Sequence, residues 1–393
     1  MLALGIRPET NTFKRTTEKS HIVELDGLRG IAVAMVLVCH LYLQVQWGAW
    51  EIPWSRTILQ FCHSGVDVFF VLSGFLIGRN LLAGNFSASF VKSFYLRRAF
   101  RILPVYWLLL LSFVVLPKID AVLQFGLQPY FTSEHPFWHY LFFLQNNTMA
   151  GRQAWGADWL AVSWSLAVEE QFYLIAPWLV GLLSRRALVF SCIVALFFCP
   201  MIRLGFFTGA HNIVAASYLL ISKIDALGAG VLLAHILSDP TRLAGLRRAK
   251  WLGPLALVFF AFYLIDPWTG DAVNISLFPS LCLVGTSAAI AYAVTRDRSL
   301  FAAFLRNRAL TFLGGISFFV YLFHMPVQYV VHTAARASFP YGPPQIALTV
   351  LTGLFLTFSL GHLSRKYFEQ PLIRLGRRLA STSSRAADAG RSA

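Results

Sequence analysis

The chain has 393 residues, of which 57% are hydrophobic and only 13% are charged. A water-soluble domain carries about a quarter of its residues as charged side chains, so this composition excludes a soluble globular protein and predicts a membrane protein. The 35 Phe and 11 Trp residues are typical of a lipid-facing exterior with aromatic belts at both interfaces.

Apolar runs long enough to cross a hydrocarbon layer of about 30 Å predict an all-α, polytopic bundle of about ten transmembrane helices. The first, third and fifth runs are short or polar, and the charge pattern of the loops, described next, supports their assignment as transmembrane spans. The predicted spans are residues 30–45, 65–83, 102–117, 161–183, 187–203, 214–237, 251–268, 275–295, 309–332 and 345–364.

Positive charge alternates between successive loops. Of the 33 Lys and Arg residues, 26 fall on the side that holds both chain ends and 5 on the opposite side. Because Lys and Arg accumulate in cytoplasmic loops, both termini are predicted to be cytoplasmic. The net charge of +15 is therefore interpreted as a topology signal, and no nucleic-acid partner is predicted.

The chain divides into three predicted parts. Residues 1–27 form a cytoplasmic arm, 28–379 a single transmembrane domain, and 380–393 a small, polar, basic tail that we expect to be disordered. The first 20 residues lack the apolar core of a cleavable signal peptide. The segment from Tyr367 to Ala380 has the pattern of an amphipathic helix on the cytoplasmic surface.

The first predicted span holds two ionisable residues. Arg29 and His40 are 11 residues apart, so on an α-helix they share one face and lie about 16 Å apart along the axis. An Arg at the mouth of a bundle suits a phosphate, and a His at depth suits proton transfer. The alternative is an interfacial anchor and a structural His bonded to a neighbouring helix.

The second span contains a carboxylate and small residues. Asp67 lies near its outer end and is expected to orient His63 or another partner. Ser73 and Gly74 lie near the middle, where small residues permit close helix packing, and we prefer that interpretation for Gly74.

Arg98 and Arg101 precede the third span. At positions i and i+3 they share one helical face, and a double Arg at a helix start can hold a phosphate-rich group. The alternative is ordinary cytoplasmic positive charge.

Glu169 and Glu170 lie within the outer half of the fourth span, where two adjacent carboxylates are difficult to explain as packing. Their directions differ by about 100°, which predicts different roles. In the ninth span, Tyr321 and His324 share a face, and Pro326 is expected to kink the helix just beyond them.

No metal site is predicted. His135 and His139 have a metal-like spacing, but Pro136 and the aromatic surroundings disfavour one. The five cysteines form no CxxC pair and are expected to act as small hydrophobic residues. Lys223 and Asp225 are expected to pair with each other as a structural feature.

Together and in order, these segments resemble the acyltransferase-3 family of integral-membrane O-acyltransferases, from about Leu25 to Pro371. Their joint occurrence is specific, although several are weak alone. The matching segments are LDGLRGIAV, GVDVFFVLSGFLI, the RAFR of Arg98 and Arg101, WSLAVEEQFY, IDALGAGVLLA, ISFFVYLFHMP and FEQP.

The resemblance implies a multi-pass enzyme of a cell membrane, most typically a bacterial inner membrane. It implies transfer of an acyl group, usually acetyl from acetyl-CoA as co-substrate, to a hydroxyl of a carbohydrate or glycolipid such as a cell-envelope polysaccharide, oligosaccharide or lipopolysaccharide. Carried over residue by residue, it implies catalytic roles for His40 and Glu169 and acyl-CoA binding by Arg29, Arg98 and Arg101. The residues expected to support the pocket are Asp67, Ser73, Glu170, Tyr321 and His324.

Two mechanisms stay open at this point. His40 acts either as general base on the acceptor hydroxyl or as a transient carrier of the acyl group. Glu169 is expected to orient the imidazole, by analogy with the third member of a catalytic triad. Phe318 stands where the family often has Tyr, and the C-terminal soluble domain of some members is not expected. The competing functional classes are a membrane transporter of a small molecule or acyl group without catalysis, and a non-catalytic scaffold. The oligomeric state stays undetermined.

Overall fold

The computed structural model describes residues 21–46, 59, 61–261, 271–338 and 342–389. Within these ranges the only regular secondary structure is helical, which confirms the predicted all-α class. The α-helices are α1 (Val23–Gln46), α2 (Gly65–Ala83), α3 (Ala88–Leu123), α4 (Phe137–Leu141), α5 (Gln145–Arg152), α6 (Trp164–Leu182), α7 (Arg185–Leu204), α8 (Ile213–Tyr218), α9 (Ile224–Ser238), α10 (Pro240–Arg248), α11 (Leu252–Ala261), α12 (Asp271–Ser276), α13 (Phe278–Thr295), α14 (Leu300–Leu305), α15 (Arg308–Ser338), α16 (Pro343–Ser364) and α17 (Gln370–Ala389). The 3-10 helices are Gln128–Phe131, Asp158–Ser163 and Leu220–Ser222, and π-helical turns lie at Gly205–Gly209 and Arg365–Glu369.

Six helical segments of the described chain are long and apolar enough to cross a membrane. They coincide with the second, third, fifth, eighth, ninth and tenth predicted spans, and they make this a multi-pass membrane protein. The segments are Phe61–Ala83, Ala88–Leu123, Arg185–Gly209, Phe278–Thr295, Arg308–Arg336 and Pro343–Thr382.

The other four predicted spans differ from one another. The first and fourth are the continuous helices α1 and α6, of 24 and 19 residues. The sixth is broken into α8, a 3-10 turn and the 15-residue α9. The break lies at Leu219, whose backbone conformation is extended. Arg203 donates to the carbonyl oxygen of Ser222 at this break, which satisfies a polar group that the interrupted helix leaves free. The seventh span begins with α11, and residues 262–268 lie outside the described ranges.

Two helix pairs form the centre of the bundle. Helix α2 packs along α9, and α1 packs along α15. A Cβ atom at Gly74 would clash with the carbonyl oxygen of Leu227, and one at Gly30 would clash with that of Leu310. Small residues at such crossings let two backbones approach closely, so the packing role predicted for Gly74 is confirmed.

Two ion pairs are buried between helices. Lys223 Nζ lies 2.7 Å from Asp67 Oδ1, and Arg203 Nη1 lies 2.9 Å from Asp225 Oδ2. The expectation that Lys223 pairs with Asp225 is therefore wrong, because residues two apart at a helix start do not face each other. Of the two possibilities left open for Asp67, His63 or another partner, the structure shows another partner, Lys223.

The segment between α3 and α6 forms short helices that close one end of the bundle. The side chain of Asp120 accepts hydrogen bonds from the backbone N–H groups of Leu127 and Gln128 at 2.9 and 3.0 Å, which fixes the chain as it leaves α3. Gln145 Nε2 donates to the carbonyl oxygen of Ser163 at 2.9 Å. This contact positions the residues that directly precede α6.

Helix α17 packs against α3. Ser93 Oγ donates to the carbonyl oxygen of Ala380 at 2.9 Å, and the backbone at Gly376 lies against the ring of Phe100. The helix continues to Ala389, through the residues from 380 that the sequence pattern assigns to a disordered tail. Residues 1–20 of the predicted arm and 390–393 of the tail lie outside the described ranges.

Candidate active site

Five helices enclose a cavity of about 100 Å³ at the centre of the bundle. Helices α1, α2, α3, α6 and α15 each contribute polar side chains to its wall, and aliphatic and aromatic residues fill the rest. The polar lining residues are Arg29, Ser73, Arg98, Arg101, Ser165, Glu169, Tyr173, Ser317 and Tyr321.

Three arginines converge on this cavity from two helices. Arg29 comes from α1, and Arg98 and Arg101 come from one face of α3, as their i, i+3 spacing predicts. Only one carboxylate forms an ion pair with any of them in the described chain, that of Asp26, which lies 3.5 Å from Arg29. The cavity therefore combines a positive wall, on which Arg101 is exposed and Arg29 and Arg98 are half-buried, with a lining that is otherwise largely apolar.

Glu169 faces the three arginines, whose charges act on its carboxylate. Tyr173, one helical turn further along α6, donates its hydroxyl proton to Glu169 Oε2 at 2.9 Å. Because that proton is used, Ser73 Oγ must act as donor in its hydrogen bond to the Tyr173 hydroxyl. The guanidinium of Arg98 lies over the Tyr173 ring, 5.3 Å from the centroid. These contacts fix Arg98, Tyr173 and Glu169 relative to one another.

Tyr173 was not singled out by sequence reasoning. The available signal was its i+4 spacing from Glu169, which places the two side chains on one face of α6. Ser165 was not predicted either, although it also lies four residues from Glu169 on that face. Its Oγ lies 2.5 Å from the Tyr321 hydroxyl. Phe318 lines the cavity wall beside Ser317, so this position contributes a ring without a hydroxyl.

Glu170 points away from the cavity. It is half-buried, its Oε1 has no hydrogen-bond partner among the described residues, and it is not part of the cavity wall. The predicted angular separation of the two carboxylates is thus observed. Asp67 is also outside the wall, held by Lys223.

His40 and His324 form a second group beside Tyr321. Their rings meet edge to face with centroids 4.9 Å apart. His40 Nδ1 lies 2.9 Å from the carbonyl oxygen of Val36, and His324 Nδ1 lies 2.8 Å from that of Tyr321. A carbonyl oxygen only accepts, so each Nδ1 carries a proton, and in the neutral form of each ring the lone pair is on Nε2. His324 is 1% exposed, and its Nε2 has no hydrogen-bond partner among the described residues.

The structure brings the predicted residues together in two groups and leaves one expected contact unmade. Glu169 lies with the arginines, whereas the Nδ1 of His40 is occupied by its own helix backbone. Tyr321 connects the groups, because its side chain lines the cavity and its ring centroid lies 6.3 Å from that of His324. The expected orientation of the His40 imidazole by Glu169 is thus replaced by a backbone hydrogen bond.

Metal ligands are not clustered in the described ranges, where no three His, Cys, Asp or Glu side chains come close enough to hold an ion. The five cysteines are buried and form no disulfide bond with one another. The polar groups at the site are therefore arginines, hydroxyls, one carboxylate and two imidazoles.

Comparison with known proteins gives consistent matches. A family model described as an acyltransferase domain matches residues 22–362. O-acetyltransferase OatA of Staphylococcus aureus is 28% identical over 94% of this chain and 60% of its own length. A Bacillus subtilis protein with the provisional name peptidoglycan O-acetyltransferase YrhL is 28% identical over 92% of this chain and 56% of its own. The chain thus spans about three fifths of the length of these relatives. No solved structure matches it.

Proposed function

Because the chain belongs to the acyltransferase-3 family, we propose that it is a membrane O-acyltransferase that transfers an acetyl group from acetyl-CoA to a hydroxyl of a carbohydrate. The proposed setting is a bacterial inner membrane, with ten spans and both termini in the cytoplasm. The observation that carries the proposal is the convergence of Arg29, Arg98 and Arg101 on one cavity, next to a pair of imidazoles in edge-to-face contact.

The arginine wall, formed by Arg29, Arg98 and Arg101, is suited to binding the acyl donor, acetyl-CoA. The nucleotide of CoA carries phosphates, and guanidinium groups bind phosphate oxygens through paired, charge-assisted hydrogen bonds. Arg29 and His40 lie on the same continuous helix, about 16 Å apart along its axis. A pantetheine arm of comparable reach would carry the thioester from the arginines toward the imidazoles, past Tyr321.

His40 is proposed as the general base. Its Nε2 accepts the proton of the acceptor hydroxyl while the hydroxyl oxygen attacks the thioester carbonyl carbon. The C–S bond of the tetrahedral intermediate then breaks, and the imidazolium returns the proton to the CoA thiolate. The hydrogen bond from Nδ1 to Val36 supports this assignment, since it leaves Nε2 as the basic atom.

Glu169 is proposed as a positioning residue for the arginine wall. Its carboxylate balances part of the positive charge and, through Tyr173 and Ser73, ties α6 to α2. Arg98 is held at the same time by its contact with the Tyr173 ring. A preorganised donor site of this kind lowers the entropic cost of bringing the thioester to the base.

The acceptor is proposed from the relatives. Because two of them are named as O-acetyltransferases, one with peptidoglycan in its provisional name, a cell-envelope polysaccharide is the acceptor class to test first. Oligosaccharides and lipopolysaccharide belong to the same chemical class, since each offers sugar hydroxyls.

The decisive experiment uses the full chain in lipid discs with acetyl-CoA labelled on the acetyl group. Label on glycans and release of free CoA are followed for the wild type and for His40→Ala. His332→Ala, on α15 but outside both polar groups, is the matched control. We expect transfer in the wild type and the control and none in His40→Ala, with acetyl-CoA binding retained in all three. Acceptor or acyl flux across the bilayer without CoA release would instead establish a transporter.

A further inference from the structure

A second cavity, of about 520 Å³, lies at the opposite end of α15 from Ser338. It forms where the first turn of α15 meets the last turn of α16 and the π-helical turn Arg365–Glu369. Three of its lining residues are permanent cations and none is a carboxylate. The lining residues are Arg308, Thr311, Phe312, His362, Arg365, Lys366 and Gln370.

In this second cavity, which we call the basic pocket, the three cations outnumber the carboxylates of the adjoining π-helical turn, where Glu369 is the one carboxylate on which the charge of Arg365 acts. None of the ion pairs between described residues includes Arg308, Arg365 or Lys366. The carboxylate of Glu369, in the same π-helical turn, accepts a hydrogen bond from Ser364 Oγ at 2.9 Å and lies outside the pocket wall. Like charges that outnumber the nearby counter-charges repel one another, and a bound anion would relieve that repulsion.

The backbone around the pocket holds the arginine in place. The Arg365 guanidinium lies directly against Gly315 of α15, where a Cβ atom would clash with it. The five residues from Arg365 form a π-helical turn, a local widening that occurs frequently at functional sites. The cation is therefore set into the groove between α15 and α16 rather than extended into solvent.

Large apolar side chains are exposed at Phe312, which lines the pocket, and at Leu363 and Tyr367, which are next to lining residues in the sequence. Phe312 is 46% exposed, Leu363 50% and Tyr367 65%, and Phe312 and Leu363 belong to helical segments that are apolar enough to span a membrane. The site thus offers cations for a phosphate and an adjoining apolar surface for hydrocarbon. Basic pockets between transmembrane helices bind the headgroups of anionic lipids in this way.

We propose that the basic pocket binds the phosphate headgroup of an anionic phospholipid, with its acyl chains against Phe312 and Leu363. The phosphates of the acyl donor offer the same chemistry. The two cavities share no lining residue, however, and the exposed apolar surface beside the basic pocket matches a lipid better than a nucleotide. This inference is independent of the proposed function.

The test measures lipid binding to the full chain in detergent by native mass spectrometry. The probes are phosphatidylglycerol, phosphatidylcholine with the same acyl chains, and CoA. We expect wild type to retain phosphatidylglycerol in preference to phosphatidylcholine. R365Q/K366Q should weaken phosphatidylglycerol binding about 25-fold, since each cation near an anionic lipid surface contributes about fivefold. Its CoA binding should be unchanged.

The matched control is R377Q/R378Q, which removes the same charge from exposed positions of α17 and should bind phosphatidylglycerol as the wild type does. If R365Q/K366Q fails to fold, Arg308→Gln replaces it, because Arg308 is exposed at the first residue of α15, and the expected loss is about fivefold. The proposal fails if wild type binds both lipids equally, if the pocket variant and the control behave alike, or if the pocket variant loses CoA binding and keeps phosphatidylglycerol.

Discussion

The imidazole rings of His40 and His324 meet edge to face across the contact between α1 and α15, with centroids 4.9 Å apart. Each ring donates its Nδ1 proton to a backbone carbonyl group of its own helix. The orientation of both rings is therefore set by main-chain geometry and by each other. This arrangement places two imidazoles side by side, a half-buried one at His40 and a buried one at His324, and it makes His324 the natural support for the base proposed at His40.

Replacing His324 by Gln is expected to lower kcat for acetyl transfer about 10²-fold, at the lower end of what proton transfer by a positioned base contributes. Gln removes the ring that packs edge to face against His40 and holds its imidazole in place, whereas His40 itself remains. The KM for acetyl-CoA should change little, because His324 is not part of the arginine wall. Steady-state kinetics on the purified protein measure both parameters.

The control for this variant is His332→Gln, which replaces a partly exposed His two turns further along α15. It should leave kcat at the wild-type value. A rise in KM without a fall in kcat for His324→Gln would assign His324 to donor binding and contradict its role as support for the base.

Tyr173→Phe tests the contact between the carboxylate and the arginine wall. The variant removes the donor to Glu169 Oε2 and leaves a buried carboxylate atom without that partner, which costs about 1–3 kcal/mol. We expect a lower melting temperature and a higher KM for acetyl-CoA, because the ring beneath Arg98 is no longer tied to Glu169 and Ser73 by its hydroxyl group. Tyr367→Phe, at an exposed ring, should change neither quantity.

A double-mutant cycle with Glu169→Gln separates coupling from independent effects. Residues in one hydrogen-bond network give non-additive changes, so the double variant should lose less than the sum of the two single losses. Additive changes would show that Tyr173 and Glu169 act separately.

The buried pair of Asp67 and Lys223 is expected to be essential for stability. Asp67→Asn leaves an unpaired ammonium group that is 3% exposed, and breaking a buried ion pair from one side costs about 3–5 kcal/mol. The double variant D67N/K223M removes both charges and should recover much of the loss. Thermal unfolding in detergent measures the two variants, and equal melting temperatures for Asp67→Asn and D67N/K223M would contradict this account.

The sequence predicts the helical class and the residues of the arginine wall, because hydropathy and i, i+3 spacing are local properties of the chain. Arg98 and Arg101 share a face whatever they pack against. Pairing between helices is not a local property. Lys223 is two residues from Asp225 in the sequence, yet it pairs with Asp67, which is 156 residues away.

The same limit explains why the site was only partly foreseen. The position of Glu169 relative to His40 depends on how α6 packs against α1, and no spacing within either helix encodes it. Tyr173 could have been identified from its distance of one turn from Glu169. The break at Leu219 could not, since Arg203, which satisfies the carbonyl group of Ser222 beside the break, comes from a different helix, α7.

Gly74→Ala tests whether close packing of α2 against α9 supports the site. The added methyl group would collide with the backbone carbonyl oxygen of Leu227, which cannot move without shifting α9, so we expect a marked loss of thermal stability. Gly245→Ala is the matched control, because it lies in helix α10 with no atom near the position of its Cβ. There the greater helix propensity of Ala should be neutral or stabilising by up to about 1 kcal/mol.

Since Ser73 precedes Gly74 and bonds to Tyr173, Gly74→Ala should also raise the KM for acetyl-CoA in protein that remains folded. If both Gly→Ala variants have the melting temperature of the wild type, the backbone contact between α2 and α9 does not limit stability. Close packing of these two helices would then no longer explain how the arginine wall is held in place.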